Sequence, residues 1–537
     1  MLGIGGKHIV NVFNLWVVTF VALGTLSTAY GLAIIGSTVG QPNFYTYFDL
    51  APQGEPGYAY TTNIVGALNG VNSAGAIIGC LISAWSADAY GRKRTIQVGC
   101  IILIIGGAIC AGSANMGMFL AGRVIAGIGS GILAVVVPMY QGEISTAETR
   151  GAMMCVTGVA YAFGYTLAGW LGFACYFFPA DSPSATFSWR FPLAVQCMPP
   201  LIVLAGSGFI PFSPRWLLSK GRREEAFDIV KRLHRTPDDK EDIAARQEFY
   251  MMEKQYELDA QLKTRRFEIF RTKPNRRRSL IAAIMMWGDQ FLGIFVMTNY
   301  GVLIYASLGL KGFRPLLLNA CWTTFTIVGN IWTALYIDRW GRRTFLLIGS
   351  TGVTVSLIFL CALTAEFLGT TNTAGLNAAV FFIWFFILWW CFFVDATQYV
   401  YVSEIWPNHL RSQGTAWGLA FFYLASEVTL VAAPVALNSI GWKFYLVLII
   451  PSVCYIAAIY FLFPETKGRT LEEIGSLFGD EHIASHWYGI SEEERAEIER
   501  NALQMTKSGH LSGDQAPEVG MKKEDSQMEH VEEKSGD

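Results

Sequence analysis

Forty consecutive residues, Ile9 to Phe48, contain no Asp, Glu, Lys, Arg or His. A helix that meets water needs a polar stripe, and the apolar region of a signal peptide extends only about 7–15 residues. The run therefore reads as a retained first membrane span behind Lys7 and His8. The rest of the chain fits: 52% of its 537 residues are hydrophobic and 15% charged, against about 25% charged in soluble domains. That excludes a soluble enzyme, a disordered chain and a fibre, and leaves an all-α, multi-span membrane protein.

A helix of about 20 apolar residues crosses ~30 Å of hydrocarbon. Twelve candidates follow, at approximately 13–40, 62–86, 95–114, 118–142, 152–176, 190–212, 280–306, 314–337, 344–367, 377–403, 413–437 and 441–463. Lys and Arg in short flanking loops mark the cytoplasmic face. Arg92-Lys93-Arg94, Arg150, Arg339, Arg342-Arg343, Arg411 and Lys467 occupy alternate loops, and the opposite loops hold little beyond Lys311, Arg314 and Lys443. Both termini are expected in the cytoplasm. The expected organisation is a cytoplasmic N-terminus (1–12), a six-helix bundle (13–212), an intracellular helical linker (213–279), a second six-helix bundle (280–463) and a cytoplasmic tail (464–537), largely disordered after about 490. Within the linker, Arg222 to His234 and Glu241 to Leu262 have helical character.

Net charge of −2 leaves no basic footprint for nucleic acid. The ten Cys, among them Cys100, Cys110, Cys321 and Cys361 in apolar runs, show no CxxC spacing and read as packing residues, so neither a metal site nor a cofactor is expected. No HExxH, GxSxG or Walker loop is present, which argues against an enzyme.

The chain repeats itself. Asp88-Ala89-Tyr90-Gly91-Arg92-Lys93 returns 250 residues later as Asp338-Arg339-Trp340-Gly341-Arg342-Arg343. Glu143 with Arg150 returns as Glu404 with Arg411. Pro211 to Arg215 is echoed by Pro464 to Arg469, with Pro464 standing 250 residues after Pro214. Duplicated bundles are common among secondary transporters. Together with Gly122-Arg123 to Gly131, Pro138 to Glu143, Trp189-Arg190-Phe191-Pro192 and Glu404-Ile405-Trp406-Pro407, these motifs resemble, in order and over roughly residues 13–475, a fungal-type sugar porter of the major facilitator superfamily.

That resemblance implies two pseudo-symmetric six-helix halves and a carrier of a sugar or sugar-like polyol, resident in a lipid bilayer, expectedly the plasma membrane. It implies a gating role for Asp88, Gly91, Arg92, Glu143, Arg150, Asp338, Arg339, Gly341, Arg342, Glu404 and Arg411, cross-linking the halves at the cytoplasmic side. Exposed ion pairs contribute only ~0–1 kcal/mol each, so a network is required. For the solute, Gln290 and Tyr300 match the family pattern, while Asp289, Phe295 and Asn299 depart from it. Gly158 stands for a Gln, Tyr399 for a Trp, and Thr326 for an Asn, with Asn330 one turn on; Asp395-Ala396-Thr397-Gln398 replaces a Gly-Pro hinge. The pocket is rewritten, leaving a larger solute such as a disaccharide or a quinate-like acid open, as well as a non-transporting sensor on the same fold.

Proton-coupled members pair a first-span acid with an Arg. Arg123 is here, but Gly31 or Leu32 stands where the acid belongs, which favours uniport over proton symport. Carboxylates inside spans are costly, ~2.5–3.5 kcal/mol on insertion scales, so Asp289, Asp395 and Glu427 are the candidate displaced proton sites.

Overall fold

The computed structural model describes residues 11–51, 55–145, 150–178, 186–234, 267–407, 410–467 and 471–479, and residues 242, 245–246, 249–250, 252–253 and 256 between them. Among these residues there is no strand. The spans are α1 (Val12–Val39), α2 (Tyr58–Ala89), α3 (Arg92–Ala111), α4 (Met116–Ile144), α5 (Arg150–Cys175), α6 (Phe187–Phe209), α7 (Lys273–Ser307), α8 (Arg314–Trp340), α9 (Arg342–Phe367), α10 (Thr373–Glu404), α11 (Arg411–Ser439) and α12 (Gly441–Leu462). Ten are long and apolar enough to cross a membrane by composition alone. The others, α5 and α8, have crossing length at 26 and 27 residues; α8 is diluted by Asn319, Thr323, Thr326, Asn330 and Thr333, all buried.

Local chemistry sets the ends. Side chains of Asn11, Asn115, Thr272 and Asn372 accept from the first free backbone N–H groups of α1, α4, α7 and α10. Gly91 and Gly341, at φ 88° and 95°, turn α2 into α3 and α8 into α9 at equivalent places of the two halves. Inside the first half α2 and α4 pack almost backbone to backbone: a Cβ on Gly127 or Gly131 would run into the carbonyls of Asn72 and Ala76.

Two helices are interrupted where the site lies. Gly293, at φ 91°, breaks α7 between Phe291 and Ile294. A π-turn, Trp390–Val394, widens α10 immediately before Asp395, the kind of irregularity that recurs at functional sites. The halves meet along α2 against α11, α5 against α8 and α1 against α7.

In the linker, Arg223–His234 is helical; Trp216, Leu217, Ala226, Val230, Phe249 and Met252 form a small apolar cluster. Arg232 lies over the Phe13 ring, 4.2 Å from its centroid, and ties this lid to α1. Most of the expected helix 241–262, the first ten residues, and the tail from 480 lie outside the described residues. A short helix, Leu471–Phe478, packs against α7, with the Arg278 guanidinium 4.7 Å from the Phe478 ring centre.

Candidate functional site

Between the halves lies a narrow cavity of about 30 Å³, room for about two waters. Tyr161 and Tyr165 come from α5, Phe295 and Thr298 from α7, Trp322, Thr323 and Thr326 from α8, Trp390, Asp395, Gln398 and Tyr399 from α10, and Phe422 from α11. Of the expected solute residues, Phe295, Thr326 and Tyr399 therefore line it. Gly158 adjoins it: a Cβ there would lie 3.5 Å from Ala396 and 3.6 Å from Asn330 Oδ1.

Asp289, Gln290, Asn299 and Tyr300 point elsewhere. Asp289 is fully buried beside Tyr455 of α12. Gln290 accepts from the Ser426 hydroxyl of α11 at 3.2 Å. Asn299 donates to the Phe295 carbonyl at 3.1 Å. Tyr300 donates to the Leu430 carbonyl at 2.7 Å and accepts from Asn69 of α2 at 3.1 Å, stitching the two halves together. For Gln290 the break at Gly293 accounts for this; Asn299 and Tyr300 follow Thr298 on other faces of the second segment. In an unbroken helix Gln290, Ile294 and Thr298 would share one stripe; the left-handed residue rotates Gln290 out of it.

The cavity is shut at both ends. Towards the end away from the basic loops, α1 and α7 touch so closely that a Cβ on Gly36 would come 2.9 Å from the Asn299 carbonyl oxygen. Beyond that contact opens a vestibule of about 940 Å³ bordered by Gly40, Asp49, Glu55, Val302 and Lys311. Towards the basic end, Tyr161 of one half stacks on Tyr399 of the other, with centroids 5.5 Å apart and planes 8° apart. Asp395 stands on this floor, held by Asn330 Nδ2 at 2.9 Å.

At the basic end each half carries the same cluster. Arg92 meets Asp88 at 3.0 Å and Glu143 at 2.8 Å, and Ser213 donates to Glu143. Arg342 meets Asp338 at 2.7 Å and Glu404 at 2.8 Å, and Thr466 donates to Glu404 at 2.8 Å. The hydroxyls of Tyr140 and Tyr401 donate to the carbonyls of Pro211 and Pro464. These equivalences correct the register of the third repeat motif: Pro464 occupies the place of Pro211, not of Pro214, so the two halves differ in spacing there.

Both glutamates thus meet the arginine of the Gly-Arg turn. The Arg150 side chain lies outside the described residues, and Arg411 heads α11. Among the described residues the ion pairs at this end run within a half, and Ser412 Oγ to Asp88 Oδ2, 3.5 Å, is a contact that joins the halves. Gly91 lies under the Trp216 ring and Gly341 under the Glu465 carboxylate, which caps the N–H groups of Arg342 and Arg343. Lys467 donates to the Arg339 carbonyl, and the Arg339 guanidinium lies 5.5 Å from the Tyr336 ring centre.

Arg123 is buried and donates to the backbone carbonyls of Gly31, 2.9 Å, and Leu68, 3.1 Å. Two carbonyl dipoles receive the guanidinium beside Gly31. Glu427 lies on the α2–α11 seam, where its Oε1 would be 2.9 Å from a Cβ at Gly70. Sequence reasoning missed Tyr161, Tyr165, Trp322 and Gln398 as cavity residues. The Tyr161 and Tyr165 spacing of four, which puts both on one helical face, was the available signal.

A family model described as "Sugar (and other) transporter" matches residues 17–478. The MFS-type transporter criB of Aspergillus cristatus is 31% identical over 468 residues, covering 87% of this chain and 93% of its own length. The sugar transporter STL1 of Saccharomyces cerevisiae is 28% identical, covering 88% and 84%. The high-affinity glucose transporter of Kluyveromyces lactis is 28% identical, covering 88% and 87%. The proton:xylose symporter XylE, solved with bound 6-bromo-6-deoxy-D-glucose, superposes with a TM-score of 0.73 at 23% identity, over 86% of this chain and 99% of its own, and shares the twelve-helix fold. With ordered motifs, a duplicated bundle and a cavity closed between its halves, the chain belongs to the sugar transporter family of the major facilitator superfamily.

Proposed function

We propose that this protein carries a sugar or sugar-like polyol across a membrane by alternating access, as a uniporter, with its basic end in the cytoplasm and the plasma membrane as its site. The observation that carries the reading is the cavity itself: it lies between two halves, with a helix contact above and a ring pair below that each join one half to the other. A solute can cross such a barrier only if one closure opens while the other holds. The basic clusters, each fastening three helix ends to the segment that follows the half, make the halves move as units.

Arg123 supports uniport. Its guanidinium donates to backbone carbonyls of α1 and α2, and neither carbonyl loses or gains a proton in a transport cycle. Uptake of labelled solute into cells, challenged with hexoses, disaccharides, polyols and quinate, is expected to saturate and to be competed by one of these classes. Solute addition to lightly buffered cells should leave the external pH unchanged; alkalinisation that follows uptake would show proton symport instead. The seven aromatic rings of the cavity and the missing side chain at Gly158 favour a solute with a large apolar face.

A further inference from the structure

Apart from the hydroxyls of Tyr161, Tyr165 and Tyr399, which can donate as well as accept, the polar groups at the α8 and α10 side of the cavity are acceptors. Thr298, Thr323 and Thr326 spend their hydroxyl protons on the carbonyls of Ile294, Ala320 and Thr323, so their oxygens offer lone pairs only. Among the described residues Asn330 Oδ1 and Gln398 Oε1 have no partner, although the two residues are 2% and 1% exposed. Beside them is the Asp395 carboxylate, which accepts from Asn330 Nδ2 and from the Trp390 ring N–H and is carried on the helix that the π-turn widens. Around this acceptor group stand rings, with Tyr161 and Tyr399 forming a flat floor. Buried acceptors without donors are unfavourable unless a ligand supplies the protons.

We propose that Asp395 is the specificity-determining residue of the cavity: its carboxylate, with Asn330 and Gln398, takes the hydroxyl protons of a neutral cyclic polyol whose apolar face rests on the surrounding rings. This rests on the transport reading above and names how that site chooses its solute. It gives the carboxylate a binding role in place of the proton role considered from sequence. A carboxylate accepts bonds from hydroxyls more strongly than a neutral amide does, and a site built to bond a hydroxyl sharply rejects the analogue that lacks it.

The test is uptake kinetics for the accepted sugar and its complete series of monodeoxy analogues, in wild type and Asp395→Asn, per copy at the membrane. In wild type, at least one deoxy analogue is expected to lose about tenfold to hundredfold in kcat/KM. In D395N the parent sugar should lose a similar factor, mainly through KM, and that analogue should be carried nearly as well as the parent. Asn330→Ala, which keeps the carboxylate but removes the Nδ2 donor that positions it and one neighbouring acceptor, should relax the same position to a smaller degree and serves where D395N is not delivered. Equal losses for the parent and every analogue would overturn the role, as would an unchanged KM for the parent. If wild type carries no hexose or polyol, the transport reading itself falls.

Discussion

Replacing Glu143 and Glu404 together by Gln is expected to lower turnover at least tenfold while the protein still reaches its membrane. Each glutamate is the hub of a cluster whose arginine is mostly shielded, with Arg92 and Arg342 side chains 12% and 11% exposed. Hydrogen bonds to charged groups contribute about 1.5–3 kcal/mol each, well above the ~0–1 kcal/mol of an exposed pair. Gln keeps the size and loses the charge, so the more exposed aspartates would be the only charged partners left to the two guanidiniums in these clusters. If just ~1.4 kcal/mol of that loss falls on one of the two conformations, their ratio moves tenfold. Initial rates of labelled uptake, divided by surface copies, give the answer. Normal rates in well-delivered double variant would reduce the clusters to signals that hold the loops on one side.

The second large effect is expected from Gly36→Trp. Even a Cβ at this position would come 2.9 Å from the Asn299 carbonyl oxygen and 3.1 Å from its Cα, both backbone atoms of the opposite half. Overpacking of this kind costs about 1–3 kcal/mol, and the simplest relief is separation of α1 from α7. Transport should fall about tenfold to hundredfold, while the closed conformation gives way to one open at the vestibule. A cysteine introduced at Val302, 7% exposed here, should then react faster with a membrane-impermeant maleimide. Gly208→Ala is the control, since a Cβ there meets nothing within 4 Å. Unchanged labelling in Gly36→Trp would mean that the α1–α7 contact is not a closure.

Much of the architecture was legible because charge-free runs of spanning length have few other homes. The twelve expected spans match the helices to within several residues, and the repeat marks two halves in the sequence itself. The site was less legible, for reasons that individual residues make plain. Gly293 is one glycine among 54, and nothing in its neighbours says that it adopts a left-handed conformation; yet that single dihedral carries Gln290 away from the cavity. Asp395 drew attention as an ionisable residue in a span, but the π-turn that precedes it depends on packing between α8, α9 and α10. The partner of each glutamate was equally hidden. Spacing along the chain suggested an arginine seven residues on; beyond that expectation, the fold brings in Arg92 and Arg342 from turns more than fifty residues away. The shift from Pro214 to Pro211 shows the same limit, because the register is defined by the hydrogen bonds of Tyr140 and Tyr401 and of Ser213 and Thr466.

Exchange across a sealed membrane is the most direct measurement of alternating access through this cavity. Purified protein in vesicles preloaded with unlabelled solute should take up external label faster than empty vesicles, saturably and with a transient overshoot, because a loaded site returns more readily than an empty one. Uptake that rises linearly with concentration and ignores the internal solute would contradict a carrier and indicate an open path; no uptake at all would contradict transport.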